Sequence, residues 1–411
     1  MIVSRCEKHI IKKNNIYYNM LDGFCFQAKN LYNHANYIIR NEFCSTNKWI
    51  RFSELDKILK LDIEYPDYRE MPTAQSAQQL LRNLDSNWDS FFKSIKDWGK
   101  HKDKYNGRPK LPKYKEKNGR YILTLTNQEV KLKENILKFP KKFKGFYIEP
   151  RFITLDNFKS FQQVRFIPHK EFITVECIYN IEVPDEPFQD NGRYLSIDIG
   201  LDNLATITTN VGLKPIIING KGLKSINKYY NKQISHYREI AKRMNNLYST
   251  HRMNKITFKR NNKINDYLHK ASKYIIDYAL SNNINTIVVG KNKDWKHNSK
   301  MNKVVNQSFV GIPHQKLLNM IKYKAKNIGI NYIETEESYT SGTSFLDNEL
   351  PTEDFYNKSR RKFRGLFISN NGIQINADVN AAFQILKKVF PNAYSKWDRC
   401  CALHPVVVNM T

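Results

Sequence analysis

Carboxylates lie in or beside three apolar runs that are far apart in a strongly basic chain. They are Asp198 within Tyr194–Leu201, Glu336 and Glu337 after Ile330–Thr335, and Asp378 ahead of Val379–Leu386. A carboxylate in a buried strand is costly unless something cationic meets it. Hard divalent ions take oxygen ligands. Acidic side chains from distant segments meeting at one sheet edge are what two-metal phosphodiester chemistry needs, with ions that activate water and stabilise the leaving oxygen. Taken singly, each has a plainer reading. Asp198 could cap a turn at a strand end, and Asp378 could cap a helix in a favourable dipole.

The elements around these residues are legible. Two β-rich runs, Tyr194–Ile199 and Leu204–Thr208, broken by Gly200 and Asp202-Asn203, predict a hairpin. Asn285–Gly290 predicts a buried strand beside the first, residues 313–328 a helix, and Ile330–Thr335 a further strand. Asn376–Leu386 predicts an amphipathic helix with Asp378 at its start. Basic helices are expected near 223–250 and 260–282. Strands alternating with helices give an α/β domain. Period-two alternation sends Glu336 and Glu337 to opposite faces, so only one can join Asp198, and Glu337 is the choice with Glu336 second.

The formal net charge of +28 points to a polyanionic partner, and an aromatic content of 13% suits base stacking as well as a core. Biased base composition inflates Lys, Asn, Ile and Tyr, but it does not explain so few carboxylates. The six cysteines are scattered without a C-x-x-C pair, which argues against a disulfide framework and a thiolate zinc site. No hydrophobic run approaches a membrane span and the start does not read as a signal peptide, so a cytoplasmic protein is expected.

In the first half, Ala77, Leu80, Leu81, Leu84, Trp88, Phe91, Phe92 and Ile95 fall at helical spacing after a Thr73 N-cap and read as core. Residues 101–117 mix prolines, lysines and tyrosines. Arg108, Lys110, Lys113, Tyr114 and Lys115 are expected to contact phosphates from this extended arm, although a solvated linker has the same composition. Residues 121–185 alternate with period two and predict a small barrel or sandwich, which Pro184-Asp185-Glu186-Pro187 ends.

Together these motifs resemble a family. Tyr194–Gly200, Val288–Trp295, Ser338–Ser341 and Asn376–Ala382 look like segments of a RuvC-like, RNase H-fold nuclease of the TnpB type. TnpB proteins are transposon-encoded, RNA-guided DNA endonucleases related to type V CRISPR effectors. Gln75–Gln79 leading to Trp88 and Phe91-Phe92, and Lys110–Lys115, are similar to family patterns too. The resemblance implies a multidomain α+β chain. A β-barrel-like wedge domain (1–20 and 118–190) would carry a helical recognition lobe (21–117). An RNase H-like α/β nuclease domain (191–340 and 371–390) would follow, with a degenerate zinc-ribbon-like insertion (341–370). Residues 391–411 lie beyond the resemblance and show no clear periodicity, so a flexible tail is expected there.

The chain departs from the family pattern twice. Gly290 stands where the family's second catalytic carboxylate usually sits. Either the nuclease is dead, as in repressor-type members that keep RNA-guided DNA binding, or the role has moved to Glu337, as in relatives carrying the Glu just before the Y-T-S motif. Relocation is favoured. The insertion also lacks the usual cysteine pairs, so no structural zinc is expected, and Phe345, Leu346, Phe363, Leu366 and Phe367 should hold it instead. The resemblance then implies Asp198, Glu337 and Asp378 holding two Mg²⁺ ions. It implies a guide RNA from the transposon end, a double-stranded DNA target beside a short motif, no membrane partner, and a monomer. A nuclease-dead repressor is the alternative, and a basic RNA-binding accessory protein a third reading.

Overall fold

Pro184 and Pro187 fall just past the point where the chain divides, into one unit of Ile2–Glu182 and another of Met1 with Val183–Thr411. The computed structural model describes residues 1–291, 311–363, 365–394 and 399–410. The fold is mixed α/β. No helix among the described residues is long and apolar enough to cross a membrane.

The first unit runs β1 (Ile2–Lys12), α1 (Tyr18–Thr46), α2 (Phe52–Leu61), α3 (Asp67–Glu70), α4 (Ala74–Lys100), β2 (Leu123–Thr126), β3 (Lys131–Lys133), β4 (Ile136–Lys138), β5 (Tyr147–Ile148), β6 (Phe158–Pro168) and β7 (Phe172–Glu182). Its strands divide between an antiparallel sheet of order β1-β7-β6-β2 and a smaller sheet β3-β4-β5. Thr73 and Ser76 form a reciprocal capping box that starts α4, and the face from Ala77 to Trp88 is buried. Each fully buried large side chain there contributes about 1.5–3 kcal/mol. The Trp88 indole N–H meets Asn36 Oδ1 at 3.1 Å, the partner that a buried indole requires. Helices and sheet share this core, since Leu81, Leu84 and Trp88 belong to the same cluster as Phe166, Val175 and Cys177.

The second unit runs β8 (Tyr194–Ile199), β9 (Asn203–Thr209), β10 (Ile216–Asn219), α5 (Lys221–Asn245), α6 (His251–Ser281), β11 (Thr286–Gly290), α7 (His314–Asn327), β12 (Asn331–Thr335), β13 (Arg361–Phe363), β14 (Leu366–Ile368), β15 (Gln374–Asn376), α8 (Ala377–Val389) and β16 (Val406–Val408). A six-stranded sheet has the order β12-β11-β8-β9-β10-β16. The hairpin β8–β9 is antiparallel, whereas β11 runs parallel to β8 and β12 parallel to β11. Alternation along the strands sorts the two faces. Leu195, Ile197, Ile287 and Val289 pack with Leu268, Ile275 and Leu317 of α6 and α7. Val288 lies in a second cluster with Phe383 and Ile385 of α8.

The flexible tail expected over 391–411 is corrected at its end. Val406–Val408 adds to the sheet, parallel to β10, with Val406 N donating to the Pro215 carbonyl. The three β-branched residues after Pro405 carry a strand signal too short for a periodicity reading. Residues 292–295 of the Val288–Trp295 motif lie outside the described residues.

Candidate active site

Asp198 sits within β8 opposite Thr206, not in the turn, so it caps no hairpin. Ser196, two residues earlier on the same face, is fully buried. Its hydroxyl donates to the Ala382 carbonyl of α8 at 2.6 Å and shares a hydrogen bond with Thr208 Oγ1, which seats α8 against the hairpin. In the parallel neighbour Val289 pairs with Ile197, so the next register position brings Gly290 beside Asp198. The turn after β8 is braced from behind, where His314 Nε2 lies 3.1 Å from the Gly200 carbonyl oxygen.

Glu337 reaches this point from the end of β12. Gly290 pairs with Thr335, and Lys291 N donates to the Thr335 carbonyl at 2.8 Å, which carries the pairing to the strand's end. There the chain turns. The Thr340 hydroxyl and amide both donate to the Glu337 carbonyl, at 2.8 and 3.2 Å, and Lys388 of α8 holds the Ser338 carbonyl at 3.2 Å. A β-carbon built on Gly290 would stand 2.7 Å from Glu337 Oε1, 2.8 Å from its Cγ and 2.6 Å from Ile385 Cδ1. Glu337 therefore occupies the space that any side chain at 290 would need. Its Oε1 is buried without a hydrogen-bond partner. Glu336 is exposed and accepts from the Ser338 hydroxyl at 2.6 Å, so it does not face this point.

Asp378 approaches from α8. The helix cap is Asn376, whose Oδ1 accepts from the amides of Asp378 and Val379 at 3.0 and 3.2 Å. Asp378 is thereby free of capping duty. Its Oδ2 accepts from Asn203 Nδ2 at 2.7 Å and its Oδ1 from Arg361 Nη2 at 3.1 Å.

Asp198, Glu337 and Asp378 line one cleft of about 500 Å³ with Asn203, Lys221, Thr340, Ser341 and Arg361. Asp198 keeps a window onto that cleft while protein surrounds the rest of it. Burial, then the neighbouring charges of Glu337 and Asp378, raise its carboxyl well above the ordinary range against a smaller opposing pull from Arg361. Burial pushes Glu337 from 4.5 to about 7. Among the described residues no group of three or more His, Cys, Asp or Glu stands close enough to hold an ion as it is. The three carboxylates share a cleft without closing into a cage, and Asp378 is engaged by Asn203 and Arg361. An orphaned buried oxygen and hard oxygen donors crowded together nonetheless fit a hard divalent cation.

The raised Glu337 value has a consequence for stability. Between pH 4.5 and about 7 the folded protein holds a proton that the unfolded chain has released, so stability at this site falls as pH rises through that window. Without divalent ions, Glu337→Gln is expected to melt above the wild type at pH 8, with the gap closing near pH 5. Scanning calorimetry at the two pH values checks this, and an equal gap at both would mean a solvated, ordinary carboxylate.

The arm residues divide. Asn33 exchanges hydrogen bonds with the Lys115 backbone at 2.8 and 2.9 Å, and Asn36 Nδ2 holds the Pro112 carbonyl at 3.0 Å. Residues 112–117 are thus strapped along α1, not left as a free linker. Arg108, Lys110, Lys113 and Tyr114 are exposed, and Tyr114 lies under the Arg40 guanidinium at 4.8 Å. Lys115 is half-buried, and its ammonium lies 4.7 and 5.0 Å from the Tyr32 and Tyr121 rings, anchoring the strap.

The insertion needs a second correction. Phe345 stacks on Phe383 at 4.1 Å and Phe367 is buried, but Phe363 is 73% exposed. The sequence reading missed a polar knot in which Glu349 accepts from Arg360 at 2.6 and 2.8 Å, from the Ser344 amide at 2.7 Å and from Asn370 at 3.2 Å. It also missed Asn203 and Arg361. The Asp-Asn pair after Gly200 was a usable signal for Asn203, whereas nothing local marks Arg361.

Residues 178–296 match the family model OrfB_IS605, described as a probable transposase, and residues 314–385 match that of the Cas12f1-like TNB domain. The chain is TnpB-like in these two segments. Solved structures similar to it include the Cas12f1–sgRNA–target DNA complex, at 16% identity, 93% coverage of this chain, 98% of that one and a TM-score of 0.37. A CRISPR-Cas12f ternary complex matches at 16% identity, with coverages of 89% and 80% and a TM-score of 0.36. C2c1 of Alicyclobacillus acidoterrestris with single-guide RNA matches at 10% identity, with coverages of 94% and 68% and a TM-score of 0.37. No curated protein matches.

Proposed function

We propose that this chain is a transposon-encoded, RNA-guided DNA endonuclease that cuts beside a short adjacent motif. In this reading the second unit is the RuvC-type, RNase H-like nuclease and the first carries the wedge and recognition elements. The observation that carries it is the Glu337 side chain, which fills the space above Gly290 in register with Asp198, across a cleft from Asp378. The transposase and Cas12f1-like matches support the same family of activities.

Asp198, Glu337 and Asp378 would hold two Mg²⁺ ions. Such ions supply phosphoryl polarisation and a nucleophile at neutral pH. The chain's own residues supply position. The Thr340 bonds fix the turn that aims Glu337. The orphaned Oε1 offers an acceptor with no bond to break, and a proton on Glu337 would leave when a cation arrives. Asn203 and Arg361 orient Asp378, and Arg361 and Lys221 give the cleft wall the positive charge that a phosphodiester chain needs. Sequence specificity would rest with the guide, and the protein would hold the heteroduplex by its backbone and shape.

The test is plasmid cleavage by protein co-expressed with its flanking RNA, in Mg²⁺ against EDTA. Asp198→Ala and Glu337→Ala are each expected to lose about a hundredfold or more in rate, roughly 3 kcal/mol of barrier, while guided DNA binding persists. Cutting that survives Glu337→Ala but not Asp198→Ala would move the role to Glu336 or elsewhere. Guided binding with no cutting by the wild type would make the protein a repressor.

A further inference from the structure

In the first unit α4 changes character along its length. The stripe is fully buried as far as Trp88, but Phe91, Phe92 and Ile95 are only half-buried. They form, with Phe43 of α1 and with Pro109 and Leu111 just ahead of the strap, the floor of a groove of about 520 Å³. Its rim is Arg40, Arg108, Lys110 and Lys113, and no carboxylate lines it. Arg108, Lys110 and Lys113 are exposed and make no ion pair among the described residues. The floor is preformed: Phe43 and Phe92 meet at 5.4 Å and Phe91 and Phe92 at 5.2 Å, both on the Trp88 core.

We infer that this groove binds an unpaired stretch of RNA, one or two bases resting on the Phe43, Phe91 and Phe92 floor and their phosphates on the four cations. An apolar, aromatic floor rimmed by Arg40 and three unpaired cations suits a partner that is flat and apolar on one side and anionic on the other. An unstacked nucleotide is such a partner, whereas a duplex hides its base faces. The groove's volume falls in the range of about 300–1,000 Å³ of small-ligand pockets, room for one or two bases. The choice of RNA over DNA rests on the function proposed above, in which RNA stays bound before, during and after target engagement and can cover the floor throughout.

The probe is a labelled oligouridylate carrying 4-thiouridine, with oligodeoxythymidylate as its counterpart, on the full chain. Arg108→Glu/Lys110→Glu/Lys113→Glu is compared with Lys131→Glu/Lys133→Glu/Lys141→Glu, an equal charge change at exposed residues elsewhere in the unit. The groove variant is expected to bind oligouridylate at least tenfold more weakly than this control. Its salt slope should fall by about 2, some 0.7 per lost single-strand phosphate contact. Photocrosslinks should map to peptides holding Phe43, Phe91 or Phe92. A loss no greater than the control's, crosslinks only elsewhere, or tighter binding of the deoxy probe would each overturn the proposal. So would a loss of self-association in place of RNA affinity, which would give the groove to a second copy. Purified wild-type protein carrying no specific RNA, with groove binding intact, would sink the guided reading and leave the groove. Specific RNA retained in full by the groove variant would do the reverse.

Discussion

Gly290→Ala is expected to stop cleavage about as completely as removal of the Glu337 carboxylate, although alanine adds one methyl group. That methyl would lie 2.7 and 2.8 Å from Glu337 Oε1 and Cγ and 2.6 Å from Ile385 Cδ1, closer than real carbons approach. All three atoms belong to side chains, so the fold can give way locally, at about 1–3 kcal/mol of overpacking. What gives way is the aim of Glu337. A misplacement of about 1 Å costs on the order of a hundredfold in rate, while guided DNA binding should be untouched. Relieving the other contact does not help, so Gly290→Ala/Ile385→Ala should remain inactive. The reciprocal exchange Gly290→Glu/Glu337→Gly should cut faster than either single variant, because it returns one carboxylate to one space. Cleavage by Gly290→Ala at the wild-type rate, in the same plasmid assay, would show that Glu337 does not act from where it lies.

Arg360→Ala is expected to be the most damaging single change in the insertion between β12 and α8. Glu349 is 8% exposed, and the Arg360 head group is its only cationic partner among the described residues. Breaking a buried pair from one side leaves a charge without compensation and costs about 3–5 kcal/mol. For a unit of this size each kcal/mol shifts the midpoint by about 2–4 °C, so a drop on the order of 6–20 °C should follow if the unit melts as a whole. Faster amide exchange at Ser344, whose N–H is held by Glu349, would mark the same event as local opening. A midpoint within about 1 °C of the wild type, with Ser344 still protected, would leave the Phe345, Phe383 and Tyr394 rings as sufficient support.

Residues that act through their immediate chain neighbours could be read in advance. Thr73 starts α4 because a hydroxyl at that spacing meets an orphan amide, and Tyr194–Thr209 folds back because Gly200 and Asp202-Asn203 break two β-rich runs. Asp198 and Asp378 stood out because a carboxylate in or beside a short apolar run lies close to an element's end. The strand Val406–Val408 escaped because three residues carry no period, and its stability comes from the edge of β10.

The sequence by itself determined the long helices, the β8–β9 hairpin and the strands β11 and β12, the strong positive charge and three carboxylates in or beside those elements, since propensity, capping and amphipathicity act within a few residues. Only the tertiary structure decided that Glu337 occupies the space denied to a side chain at 290, and that Asn203 and Arg361 engage Asp378. It alone decided that Glu349 and Arg360 meet inside the insertion, and that Lys115 turns inward while Arg108, Lys110 and Lys113 stay out. Each of these depends on the distance between side chains remote in sequence or brought together by a turn, and such a distance leaves no periodic trace along the chain.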